Sequence, residues 1–302
     1  MGIVYSLIND LIVLRGLFKI QGVKKTIYLF LNYLNLYLKF SKNINYYKKK
    51  NIKDHILFNK KKTKKVFIIG SGYSLNSISK KKWDIIKKND AIGFNNSFYL
   101  KKTPITYHIT RAGNEEANFH NTLKDWIKFF QDKVKTNKFY KKTIFLFPQG
   151  ITANFTNTLL GERLYNIKNS FYLFRTNRIS KLPAKKISNG LIHRSGTLFD
   201  AISLAYYLGY KKIVLLGVDL YDVRYFFAPK NKTITWDIKK KRNVFVYTNE
   251  KNRSYVEKHF TVNKKFYKEM KNLNFFLNHQ NIKLYIENKK SLLSKIIKIY
   301  KW

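Results

Sequence analysis

The feature that most limits the possible folds is a series of short apolar runs, each separated from the next by a stretch long enough for a helix. Val66–Ile69, Ala91–Phe94, Ile105–Thr110, Thr143–Phe147, Phe171–Phe174, Lys212–Gly217 and Ile282–Ile286 read as strands. Several are continuously apolar, the mark of strands covered on both faces. Ser195–Leu208 reads as a helix, with Leu198, Ile202 and Ala205 on one face and Gly209 as its stop. Lys264–His279 reads as another. Strands alternating with helices predict an α/β domain built on a mostly parallel, twisted sheet with helices on both faces. Ligands of such sheets sit beyond the carboxyl ends of the strands.

Residues 1–60 differ from the remainder, 61–302, and read as a basic, amphipathic, helical extension. Asn9, Asp10 and Arg15 interrupt Met1–Ile20, so no uninterrupted apolar run of about 18 residues is present. Positive charge follows the apolar start rather than preceding it, which makes a poor signal peptide. Lys24–Phe40 is apolar and aromatic with Lys at both ends. It suits either a membrane interface, with Lys snorkelling and Tyr at headgroup depth, or a helix pair packed on the core. Tyr46–Lys65 is polar and heavily basic and reads as a linker.

The chain carries 60 Lys and Arg against 17 Asp and Glu, a net charge of +43. AT-biased coding would enrich Lys, Asn, Ile, Tyr and Phe together, yet charge of that origin still attracts anionic surfaces. The basic residues are spread along the chain, and no helix-turn-helix, zinc-finger or RRM signature is present. Nucleic acid is therefore not expected as a specific partner, and a non-enzymatic polyanion- or nucleic-acid-binding protein stands as the alternative reading of the charge. The chain has no cysteine, which excludes disulfides and thiolate metal sites. Its six His include no pair at i, i+4 spacing.

Five segments carry residues suited to chemistry. Gly70-Ser71-Gly72-Tyr73-Ser74-Leu75 follows a strand, where glycines let backbone approach phosphate or ribose oxygens, although a plain βα turn has the same look. It is neither GxGxxG nor a Walker loop. Asn95-Asn96 ends the second strand and offers amides to a base or sugar, or simply Asx turns. His193-Arg194-Ser195-Gly196 opens a helix, with Ser195 as expected N-cap and Arg194 suited to an anion. Gly217-Val218-Asp219-Leu220-Tyr221-Asp222 ends the most apolar strand, with Tyr225 four residues on. It lacks the DxD metal motif, although Asp219 and Asp222 could hold a cation. Tyr255-Val256-Glu257-Lys258-His259 precedes a helix and supplies a histidine suited to proton transfer.

Taken in order, these segments resemble the bacterial sialyltransferases of glycosyltransferase family 42, from about Val66 to Tyr300. The matching pieces are GSGYSL at 70–75, Asn96-Ser97-Phe98-Tyr99, Ser195-Gly196 followed by Leu208-Gly209-Tyr210-Lys211, Gly217–Tyr221, Tyr255 with His259, and Ile282–Tyr285 with Ser291–Leu293. Ser71 stands where the family often has Asn, and Arg194 where a small hydroxyl residue is usual. The resemblance implies a GT-A-like, Rossmann-type nucleotide-binding domain with a small lid around 222–260. It implies an inverting transfer of sialic acid or a related nonulosonic acid, or of another sugar such as Kdo, from a CMP-sugar to a cell-surface glycan or glycolipid. No cofactor is then required and a metal is not essential. The basic, apolar N-terminal extension, which is not part of the family core, adds the expectation of a cytoplasmic protein at the inner face of the cell membrane, with an anionic membrane surface as partner; a homo-oligomer stays open. Gly70, Ser71, Gly72 and Asn96 would contact the nucleotide or donor. Arg194, Ser195 and Gly196 would lie along the cytidine and donor carboxylate, with Asp219 and Tyr255 nearby. Tyr221 and Tyr225 would hydrogen-bond the leaving phosphate. His259 would deprotonate the acceptor hydroxyl.

Overall fold

The computed structural model describes residues 2–111, 122–183, 186–222, 224–227, 232–237, 242–247 and 264–302. Its centre is a nine-stranded, wholly parallel sheet. The strands β1 (Lys65–Ile69), β2 (Asp90–Phe94), β3 (Tyr107–Ile109), β4 (Ile144–Gln149), β5 (Phe171–Asn177) and β6 (Leu191–Ile192) step outward in chain order. The chain then crosses back and lays β7 (Lys212–Leu216) against the other side of β1. A hairpin of β8 (Lys232–Asp237) and β9 (Arg242–Tyr247) forms a separate antiparallel pair, and β10 (Lys283–Ile286) and β11 (Lys298–Ile299) extend the sheet beyond β7. Strand order therefore reverses between β1 and β7, the position at which a parallel sheet opens a crevice at its carboxyl edge.

The helices are α1 (Gly2–Gln21), α2 (Val23–Asn43), α3 (Asp54–Asn59), α4 (Lys80–Lys87), α5 (Leu123–Thr136), α6 (Asn154–Gly161), α7 (Thr197–Tyr207) and α8 (Lys264–His279). Period-two alternation along the strands divides the core between them. Val66, Ile68, Ile213 and Leu215 pack with Phe199 and Ile202 of α7 and Phe266 and Met270 of α8. Phe67, Ile69, Val214 and Leu216 face the other way and pack with Trp83 of α4, Phe130 of α5 and Leu159 of α6. Each such buried side chain contributes about 1.5–3 kcal/mol of transfer free energy, which is why the continuous apolar runs mark strands. The expected α/β fold with helices on both faces is the observed one.

Some expectations are corrected. Tyr46–Lys65 is not a linker: Tyr47, Ile52 and Leu57 are buried, Asn51 bridges to Phe171, and Tyr107 donates to the Leu57 carbonyl at 2.9 Å. The apolar residues recur between lysines that keep their charged ends in water, so mean polarity hides them. Ser195 is not the N-cap of α7; Gly196, at φ 143°, takes that position without a side-chain cap. The strand expected at Ile105–Thr110 narrows to β3, and the two-residue strands β6 and β11 are too short for a periodic signal.

The N-terminal helices pack on the core rather than standing off it. α2 buries Thr26, Tyr33 and Phe40, and α6 receives it at Gly161, where a Cβ would lie 2.8 Å from the Phe40 nitrogen. Asn43 Nδ2 donates to the Gly161 carbonyl at 2.8 Å. α1 is inverted for a surface helix: Asn9 and Asp10 are buried while Ile8, Leu11, Ile12 and Phe18 are exposed. Asp10 accepts from the Ile151 and Thr152 amides at 3.0 and 3.1 Å and from Thr152 Oγ1 at 2.7 Å; Asn9 Oδ1 accepts from the Arg178 amide at 2.7 Å. The polar pair that interrupts the first apolar stretch thus ties α1 to the loops that follow β4 and β5.

Candidate functional site

The first centre lies where β1, β2 and β7 end. Gly70 and Gly72 donate to the Leu216 and Gly217 carbonyls, both at 2.8 Å. A Cβ on Gly70 would meet the Gly217 carbonyl oxygen at 2.5 Å, and one on Gly72 would meet Asp219 Oδ2 at 2.5 Å. These glycines therefore let two loops approach each other; their amides are engaged within the protein. Ser71 contributes its carbonyl to the Phe226 amide at 3.0 Å, beside a bridge between Gly72 and Tyr225.

Asp219 is the hub of this centre. It is buried and accepts from the Ser74 amide at 2.8 Å, from Ser74 Oγ, and from Asn288 Nδ2 at 2.9 Å. Burial pushes its carboxyl up, and the Ser74 and Asn288 hydrogen bonds oppose that. Asn288 also donates to Tyr221 Oη at 3.3 Å, which leaves the phenol hydrogen to be given elsewhere. Burial raises the Tyr221 pKa, so it remains a neutral donor at physiological pH. Asp222 is clamped by Arg224, whose guanidinium also lies 4.1 Å from the centre of the Tyr73 ring. Both carboxylates named as possible cation ligands are thus engaged by the protein's own donors.

The segment after β2 turns at Asn95, held at φ 49°, and buries Asn96. The centre reaches this segment through stacked rings: Tyr99 lies 4.1 Å from Phe227, and Phe227 lies 5.2 Å from Tyr225. Ser71, Asn96, Asp219, Tyr221 and Tyr225 are therefore gathered over one edge of the sheet by neighbouring strands and their loops. Asn288, which positions Tyr221, was missed from the sequence; it is an isolated Asn after β10 with no local pattern to mark it.

The residues before α7 lie elsewhere along the rim. Arg194 pairs with Glu269 of α8 at 2.8 Å and donates to the Arg178 carbonyl, and Ser195 Oγ donates to Glu269 Oε2 at 2.7 Å. Glu269 thus satisfies both groups that the sequence offered to a ligand. Gly196 has open space around its missing Cβ. Tyr255 and His259 lie outside the described residues, as do residues 223, 228–231, 238–241 and 248–260 of the expected lid; β8 and β9 fall within that stretch.

A second polar cluster was not anticipated. Asp200, fully buried in the first turn of α7, receives Arg111 Nη2 at 2.8 Å and lies 2.5 Å from His193 Nδ1. Arg111 also donates to Thr176 Oγ1 at 2.8 Å and stacks over Phe174. Burial and the nearby Arg111 push the His193 pKa down to about 4, against the pull of Asp200. Arg111 already compensates that carboxylate, so the imidazole stays neutral.

No protein-family model matches the chain, and no curated protein matches it. Among the described residues no group of His, Cys, Asp and Glu could hold a metal ion, and no helix is long and apolar enough to cross a membrane.

Proposed function

We propose that the protein is an inverting glycosyltransferase that takes sialic acid, or a related acidic sugar, from a CMP-sugar and delivers it to a glycan hydroxyl. The observation that carries this reading is the Asp219–Asn288–Tyr221 chain at the β1–β7 reversal, with Tyr225 beside it. A neutral phenol with an oriented hydroxyl is suited to a phosphate leaving group. In the reaction the bond between the anomeric carbon and the phosphate oxygen breaks and CMP departs with the electron pair. The acceptor oxygen attacks from the opposite face, and His259 takes its proton. The GT-A-like assignment, the lid over 222–260 and the roles of Asn96 and Tyr255 belong to the same proposal.

The test is a thermal-shift and turnover screen of the full chain with CMP, UDP and GDP and their sugars. A selective CMP response with release of CMP from a CMP-sugar is expected. An equal response to all three nucleotides would sink the reading.

The proposal places the enzyme peripherally on an anionic membrane. On the outer side of α1 and α2, Leu11, Val23, Ile27, Tyr28 and Leu31 are exposed, with Lys24 and Lys25 among them. Apolar side chains flanked by lysine complement a lipid interface in both hydrophobicity and charge. Truncation of residues 1–60 would remove Asp10 and Phe40 from the core, so surface substitutions are the cleaner probe. Leu11→Ser with Leu31→Ser is expected to lower binding to anionic vesicles about 10-fold or more while leaving the melting temperature unchanged. Undiminished vesicle binding would show that the diffuse positive charge alone is sufficient.

A further inference from the structure

The rim at the ends of β3, β5 and β6 contains more hydrogen-bond donors than the described residues satisfy. Arg111 follows β3 and is held by Asp200, Thr176 and the Phe174 ring, so its position is well determined. Among the described residues its Nε is nevertheless buried without a hydrogen-bond partner, as is Thr110 Oγ1 one residue before it. Such groups cost on the order of 1–3 kcal/mol each when left unsatisfied.

Arg178 follows β5 on the same rim. Its amide is taken by Asn9 and its carbonyl by Arg194. No residue among those described accepts a hydrogen bond from its guanidinium. The charges acting on it are Arg111, Asp200 and Asp10. Both carboxylates are already occupied: Asp200 by Arg111 and His193, Asp10 by Ile151 and Thr152. Burial and Arg111 together outweigh them, and the Arg178 pKa falls to about 10. A half-buried guanidinium beside a second cation, with no acceptor of its own among the described residues, is stabilised by a further anion.

We propose that Arg111 and Arg178 form an oxyanion-binding site, built to take one carboxylate or phosphoryl group in the fork of the two guanidiniums. Neutral His193 at the cluster can donate or accept without adding charge, and Thr110 supplies a hydroxyl. The planar donors of arginine match the two oxygens of a carboxylate or the paired oxygens of a phosphate. This site differs from the anion role first assigned to Arg194, which Glu269 neutralises. It stands independently of the transferase reading, because it rests on donors that need acceptors rather than on the Tyr221 centre.

Calorimetric titration of the full chain at about 0.15 M salt tests it, where diffuse attraction to a +43 protein is screened. The probes are inorganic phosphate, CMP, cytidine and N-acetylneuraminate. Arg178→Gln is compared with Lys181→Gln, an equal charge change at an exposed neighbour. Arg178→Gln is expected to weaken at least one anionic probe about 10-fold or more, while Lys181→Gln leaves it unchanged. Arg178→Lys, which keeps the charge without the fork, should fall between them and serves if the Gln variant unfolds. Loss confined to phosphate and CMP identifies a phosphoryl ligand; loss confined to N-acetylneuraminate identifies a carboxylate. Equal affinity in Arg178→Gln and Lys181→Gln, or no anion binding by the wild type, overturns the proposal. Retained anion binding without CMP-sugar turnover would sink the transferase reading alone.

Discussion

Arg111→Gln is expected to lose about 3–5 kcal/mol of stability near neutral pH, measured by denaturant unfolding. Asp200 is fully buried, and Arg111 supplies its only fixed positive charge among the described residues at hydrogen-bond distance. Without Arg111, neutral His193 is the hydrogen-bond partner left to the carboxylate among the described residues, and Arg178 acts on it only through its charge. The pH dependence follows from the same geometry. In the wild type the His193 pKa is depressed from 6.5 to about 4, so its contribution to stability is present near neutrality and is lost as pH falls through that window. Removing Arg111 takes away the ion-pair partner of Asp200, whose charge then draws a proton onto His193 and raises that pKa. The variant should therefore lose less on acidification, and the gap between the two proteins should narrow from about pH 7 to about pH 5. A gap that widens on acidification, or a neutral-pH loss below about 1 kcal/mol, would contradict this account.

His259→Ala is expected to lower transfer from a CMP-sugar about 10²–10⁴-fold with little change in melting temperature. The proposed role is removal of the acceptor proton as the new glycosidic bond forms. A loss of that kind falls on kcat when chemistry limits turnover, while donor binding at the Asp219–Asn288–Tyr221 centre persists. Donor affinity is therefore the second readout: it should stay within a few-fold of wild type in the same variant. Unchanged turnover would remove His259 from the mechanism. Turnover and donor affinity falling together would assign it to binding instead.

Strand existence and helix placement on both faces were legible because burial on two sides demands continuous apolar runs. Lys212–Gly217 and Val66–Ile69 therefore mark β7 and β1 to within a residue. Helices α4, α5 and α6 were not read, although Thr122 and Asp125 form a capping box at the start of α5 that a local search could find. At the site, the residues gathered at the β1–β7 reversal were named from the sequence because motifs at strand ends are local. The partners were not: Asn288, which holds Asp219 and Tyr221, and Glu269, which holds Arg194 and Ser195 elsewhere on the rim, carry no pattern of their own.

Local periodicity and composition thus determined a parallel α/β sheet, its carboxyl-end loops and a basic, apolar N-terminal pair of helices. Only the tertiary structure decided what those loops do. It set Asp200 against Arg111 across 89 residues, gave Ser195 to Glu269 across 74, and buried Asp10 under loops 141 and 142 residues away. The physical reason is that hydrophobic burial scales with area and leaves a periodic trace in the chain. A hydrogen bond or ion pair instead depends on the separation of two atoms to within tenths of an ångström, and strand order supplies that separation.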